Sequence, residues 1–167
     1  MKITVVGLGN PGIRYDRSYH NVGFMAVDLL AQELNFPEFS RKKNFDISKR
    51  GDFTLVKPIT FMNLSGIAVK NALVKDSSLI VVHDDIDIPL GEIKISQSRG
   101  AAGHRGVTSV IRELGTKDFT RVRIGIRPEK KPSALDLFVL RKPTKEEEPL
   151  LLQGIDRALS FLKEKAE

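Results

Sequence analysis

The chain has 167 residues, with 27 Lys and Arg against 21 Asp and Glu, a net charge of +6 and no cysteine. With 41% hydrophobic and 29% charged residues, it reads as one globular domain over residues 1–167, which excludes a disordered or low-complexity chain. The lack of cysteine excludes disulfides, thiolate metal sites and a thiol nucleophile. No apolar run nears the ~18–20 residues of a membrane span, and the N-terminus is too short for a signal peptide, so a soluble, cytoplasmic protein is expected.

Lys2 to Val6 is apolar and β-branched and predicts a buried first strand, ended by Gly7. Asn10-Pro11-Gly12 marks a turn. Val22, Met25, Leu29, Leu30 and Leu34 recur at helical spacing between Asn21 and Leu34. A β-like piece lies around Phe45-Asp46-Ile47, and Phe53 to Lys57 predicts a strand stopped by Pro58. Asn63 to Val74 reads as a helix, in which Gly66 is either a close-packing point or a functional one. Leu79 to Val82 predicts a second buried strand running into His83-Asp84-Asp85.

Glu92 to Ser96 alternates as a half-exposed strand, and Val107 to Leu114 reads as a short helix stopped by Gly115. Thr120 to Ile126 alternates strictly, with Val122, Ile124 and Ile126 on one side and Arg121, Arg123 and Arg127 on the other. The last segment places Leu151, Ile155, Leu159 and Leu162 on one helical stripe. Its start is ambiguous: Thr144 and Glu147 resemble a capping box, but Pro149 would then lie past the first turn. Strands alternating with helices imply a single three-layer α/β/α domain, a mixed, twisted sheet flanked by helices.

Two motifs invite readings that their context weakens. Gly7-Leu8-Gly9-Asn10-Pro11-Gly12 fits the G-x-G-x-x-G of a dinucleotide site, but a turn and a polar loop follow it where a helix should open. His83-Asp84-Asp85-Ile86-Asp87 has the residue types of a divalent-metal site, but no second ligand cluster accompanies it. Asp85 should also point away from Asp84 in a continuing strand.

The basic excess is local. Between Pro89 and Pro132 ten Lys and Arg face four Asp and Glu, so that stretch carries the entire net charge. It is either an ordinary solvated face or a phosphate-binding surface.

Asn10 follows the first strand, Asp84 ends the second, His20 precedes a helix and Asn63 begins another. Each alone has a structural reading as turn former, cap or surface residue. Together they suit a cleft at the carboxyl ends of the strands. A neutral His accepts a proton from water at pH 7, a carboxylate on its other nitrogen fixes the tautomer, and Asn amides hold a carbonyl or its oxyanion. That set is sufficient to cleave an activated ester.

The blocks Gly7 to Gly12, Tyr15 and His20-Asn21-Val22-Gly23-Phe24 resemble the signature of bacterial peptidyl-tRNA hydrolases. Thr60-Phe61-Met62-Asn63-Leu64-Ser65-Gly66, His83 to Gly91, Gly103-His104-Arg105-Gly106 and Arg121 to Ile126 are similar to that family's later motifs, in family order. The resemblance implies a monomeric esterase without cofactor, metal, membrane or obligate protein partner. Its substrate would be peptidyl-tRNA released from stalled ribosomes, cleaved at the ester to the 3′-terminal ribose.

By the same resemblance His20 is the base and Asp84 its orienting partner. Asn10 and Asn63 hold the peptide and the reacting carbonyl, while Tyr15 and Met62 line the cleft. Lys94 and Arg123 grip the acceptor arm of the tRNA. Arg105 stands where the family commonly has Asn; it can still donate to substrate, and it adds a cation for the RNA. Ser18-Tyr19 replaces the usual Thr-Arg, and Phe61 the usual Tyr. The alternative is a non-catalytic RNA-binding relative of the same fold, which would not need Asn10, His20, Asn63 and Asp84 together.

Overall fold

The computed structural model describes residues Met1 to Glu167. The strands are β1 (Ile3–Gly7), β2 (Ser40–Arg41), β3 (Phe45–Arg50), β4 (Phe53–Pro58), β5 (Ser78–Pro89), β6 (Ile93–Gln97) and β7 (Thr120–Arg127). The helices are α1 (Val22–Glu33), α2 (Ser65–Ala72), α3 (Arg105–Leu114), α4 (Leu135–Phe138) and α5 (Glu148–Ala166). No helix is long and apolar enough to cross a membrane.

All seven strands form one sheet in the order β2-β3-β4-β1-β5-β7-β6. β4, β1, β5 and β7 run parallel, whereas β2, β3 and β6 add antiparallel edges, so the sheet is mixed as expected. Every residue of β1 is buried, which is why that strand reads as a continuous apolar run. α1 and α5 cover one face around Val5, Val27, Leu30, Val82, Ile124 and Ile155. α2 and α3 cover the other around Val6, Val56, Val69, Val81 and Val110. These are the three layers of the expected α/β/α architecture.

The strand order positions the site. β1 has β4 on one side and β5 on the other, so the chain reverses its winding direction there. Open α/β sheets leave a crevice at the carboxyl ends of such strands. Asn10 lies just beyond β1 and Asp84 lies on β5, so the topology brings them to that crevice.

The glycine motif serves packing. A Cβ at Gly7 would sit 2.2 Å from the Gly23 carbonyl oxygen, so these residues let α1 press against β1. α1 starts only at Val22, after two short 3₁₀ turns, and the glycine loop therefore presents no helix N-terminus to a pyrophosphate.

Some boundaries differ from the sequence expectation. The helix expected from Asn63 to Val74 is a 3₁₀ turn over Met62–Leu64 followed by α2. It ends at Ala72 because Leu73 turns extended and Val74 gives its carbonyl to Ser77, at 2.7 Å from Oγ and 3.2 Å from N. Thr144 and Glu147 do make the reciprocal bonds of a capping box, at 3.0 and 3.2 Å. Pro149 lies inside the first turn of α5, where its missing N–H is tolerated.

Candidate active site

Asp84 is 3% exposed and accepts from two imidazoles. His20 Nδ1 lies 2.8 Å from Asp84 Oδ2, and His104 Nε2 lies 2.8 Å from Asp84 Oδ1. His104 also caps α3, its Nδ1 accepting from the backbone N–H of Gly106 at 3.1 Å and Val107 at 3.2 Å. An Nδ1 that accepts carries no proton, so the His104 proton is on Nε2 and is donated to Asp84. Burial would raise the Asp84 pKa, but the two histidines, by charge and hydrogen bond, hold it well below the carboxylate range.

Asp84 is therefore a carboxylate, and it accepts a hydrogen bond from the Nδ1–H of His20. That leaves His20 Nε2 with a free lone pair. Burial lowers the His20 pKa, Asp84 raises it by charge and hydrogen bond, and the net value lies above the ordinary 6.5. His83 packs edge-on to His104 with 4.7 Å between ring centres and bonds the Asp84 carbonyl at 2.7 Å. Burial pushes its pKa well below 6.5, so it stays neutral.

Asn10 is fixed from both sides. Its Oδ1 accepts from the Met62 backbone N–H at 2.7 Å, while the Asn21 amide bonds its backbone N and O at 2.8 and 2.9 Å. With its oxygen engaged, Asn10 has its NH₂ left to donate.

These groups lie on a cleft of about 390 Å³. Asn10, Tyr15, His20, Met62, Asn63, Asp84 and Arg105 all line it, so every residue expected at the reaction centre or the peptide is brought together. The opposite wall, Leu135, Asp136, Val139 and Leu140, comes from α4 and the residues after it. Arg105 reaches across the mouth to Asp136, 3.5 Å away, with both side chains largely exposed.

The two remaining cations lie elsewhere. Lys94 is exposed on β6, paired in register with Arg123 on β7. Arg123, expected at the tRNA, is 7% exposed. Its Nε bonds Asp85 at 2.8 Å and one terminal nitrogen bonds Ser96 at 3.0 Å. Arg121 is buried too and donates to the Gly100 carbonyl at 2.9 Å. Of the three arginines of β7, Arg121 and Arg123 are buried and Arg127 is half-buried, donating to the Asp87 carbonyl at 3.0 Å.

The acidic run is split, as strand alternation requires. Asp85 takes Arg123, while Asp84 takes the two histidines. His20, Asp84 and His104 are close enough to offer ligand atoms within 4.8 Å of one another. Both Asp84 oxygens, His20 Nδ1 and His104 Nε2 already meet in direct hydrogen bonds, however.

Three parts of the site were not selected from sequence. His104 lay in a recognised block, and its place before a helix was a capping signal. Asn21 stood next to His20 but had no visible partner. The wall from Leu135 to Leu140 carried no signal.

A family model described as peptidyl-tRNA hydrolase matches residues 4–167. The peptidyl-tRNA hydrolase of Thermodesulfovibrio yellowstonii is 43% identical over 170 residues, covering 96% of this chain and 90% of that protein. That of Bacillus subtilis is 40% identical over 167 residues, covering 94% and 88%. The crystal structure of peptidyl-tRNA hydrolase from Acinetobacter baumannii is similar with a TM-score of 0.87 at 29% identity, over 97% of this chain and 87% of that one. The motifs, the sheet with its cleft and these likenesses agree, and the chain belongs to the peptidyl-tRNA hydrolase family.

Proposed function

We propose that His20 activates water to hydrolyse the ester between a peptide and the 3′-terminal ribose of tRNA, the reaction of the family. The observation that carries this is the His20 Nδ1–Asp84 bond of 2.8 Å, which leaves Nε2 as the free base in the cleft. Nε2 takes a proton from water as the oxygen attacks the ester carbonyl carbon. Asp84 stabilises the imidazolium that results. The oxyanion that develops on the carbonyl oxygen is met by the Asn10 NH₂ and the Asn63 amide. Collapse breaks the bond to the ribose oxygen, which receives the proton from His20. None of these steps draws on a cofactor.

Tyr15, Phe61 and Met62 provide an apolar wall for the peptide, and Tyr15 meets Phe61 edge-on with ring centres 6.4 Å apart. Lys94 and Arg105 offer exposed cations to the RNA backbone, and Arg123 lies beside Lys94 on the neighbouring strand. All the reacting groups come from one chain, which supports action as a single domain and as a monomer. RNA binding without cleavage would not require a buried carboxylate that fixes the tautomer of a base.

The test is release of peptide from N-blocked aminoacyl-tRNA. His20→Ala is expected to lose about 10²–10⁴-fold in turnover while still binding tRNA. A chelator is expected to leave the wild-type rate unchanged. Undiminished turnover in His20→Ala would sink the mechanism.

A further inference from the structure

We propose that Tyr19 is a positioning residue for His20, latching the cleft wall around α4 and the start of α5 onto the backbone that carries the base. The proposal deepens the reading of His20 as base and rests on it.

Tyr19 immediately precedes His20 and is fully buried. Its ring stacks on Phe138 of α4, with 4.8 Å between centres and 22° between planes. The Arg141 guanidinium lies over both rings, 5.5 Å from the centre of Tyr19 and 4.7 Å from that of Phe138. The Tyr19 hydroxyl donates to Glu147. Glu147 also accepts from Arg141 and from the Thr144 backbone, both at 3.0 Å. The main chain repeats the connection: Tyr19 N–H donates to the Arg141 carbonyl at 3.1 Å, and His20 N–H donates to the Val139 carbonyl at 2.8 Å.

Core packing alone would account for a buried ring. It does not account for a phenol directed at the carboxylate of Glu147, the residue just before α5, nor for two successive main-chain bonds to the cleft wall. The latch also stays closed in neutral solution. Burial and then Glu147 keep the Tyr19 proton in place well above the ordinary phenol pKa. Burial works against the Glu147 carboxylate, but Arg141 and Tyr19 hold its pKa below the usual value.

His20 is thus held at two places, its main chain by the wall and its Nδ1 by Asp84. A shift of the main chain by ~1 Å would stretch the bond to Asp84, and misplacements of that size cost about 10²-fold in rate. The charged or titratable groups facing His20 are Asp84 from β5, His104 at the cap of α3, Arg105 from α3, and Asp136 from α4. Asp84 and Asp136 both raise its pKa, and Asp136 rides on the latched wall. Loosening the latch alters the burial of His20, which lowers its pKa, together with its distances to Asp84, Arg105 and Asp136, so its titration moves. A Tyr19 that merely filled space would lower stability without moving that titration.

The chain has three histidines, so ring signals can be followed individually by NMR. Tyr19→Leu removes the stack and the hydroxyl; Tyr19→Phe keeps the ring and loses only the bond to Glu147. In Tyr19→Leu the His20 midpoint is expected to move away from its wild-type position. Turnover is expected to fall ~10–100-fold, with KM little changed. Tyr19→Phe is expected to move both in the same direction by less, and it carries the test if Tyr19→Leu does not fold. Lower thermal stability with the midpoint and kcat at wild-type values would overturn the proposal. The NMR arm does not depend on turnover. A shifted midpoint in a protein whose wild type releases no peptide would keep the latch and reject the hydrolase reading instead.

Discussion

Asp84 accepts from two imidazoles at once, and asparagine in its place cannot satisfy both. An amide has one oxygen. If that oxygen faces His20, the amide NH₂ faces the Nε2–H of His104, donor against donor. His104 could escape only by moving its proton to Nδ1, which would break the cap it makes to Gly106 and Val107. Asp84→Asn is therefore expected to cost about 10²–10⁴-fold in kcat, and to move the pH profile. His20 works when neutral and its pKa lies above 6.5, so wild-type activity should rise with pH through a midpoint above that value. The variant keeps the burial that lowers this pKa and loses the charge that raises it, so its midpoint should fall. Release rates measured between about pH 5 and 8 decide this; an unmoved midpoint would assign the limb to another group. Asn10, His20, Asn63 and Asp84 were legible because each stands at the end of a predicted strand or beside a predicted helix, where such sheets place their sites. His104 was not, because its bond to a residue 20 positions earlier is made only by the packing of α3 against β5.

At the scale of elements, the contact between α2 and α3 is the tightest test of the architecture. A Cβ at Gly66 would lie 2.1 Å from the Ser109 carbonyl oxygen, and the Gly66 N–H donates to Ser109 Oγ at 2.9 Å. Alanine in a helix gains up to about 1 kcal/mol over glycine by propensity. Overpacking costs about 1–3 kcal/mol, and backbone cannot rotate aside as a side chain does. Gly66→Ala is thus expected to lower stability to urea, whereas a neutral or stabilising result would mean that the two helices separate easily. Sequence periodicity located α1, α5 and the parallel strands, because their buried residues repeat over several turns or fill a whole strand. It missed α4, whose four residues are too few to show a period. It also cut β5 short, because His83, Asp84 and Asp85 look like a loop until their partners on α3 and β7 are known.

For the molecule as a whole, counting charge along the chain overstated the basic surface. The stretch from Pro89 to Pro132 carries the whole excess of +6, but Arg121 and Arg123 are buried and Arg123 is neutralised by Asp85, which lies outside that stretch. Lys94 and Arg123 should therefore behave differently when replaced. Lys94→Ala removes an exposed cation, so it should weaken binding of deacylated tRNA and flatten the salt dependence by ~0.7–0.9 log units per log unit of salt, with stability unchanged. Arg123→Ala leaves the Asp85 carboxylate, 11% exposed, without its partner, and breaking such a buried pair costs about 3–5 kcal/mol. The double variant with Asp85→Asn should recover most of that loss, because no buried charge is then left unpaired. The salt slope of Arg123→Ala should stay near the wild-type value. If it flattened as much as that of Lys94→Ala, Arg123 would have to leave Asp85 in the complex and meet a phosphate itself, and RNA binding would then free a carboxylate in the cleft beside the one that orients His20.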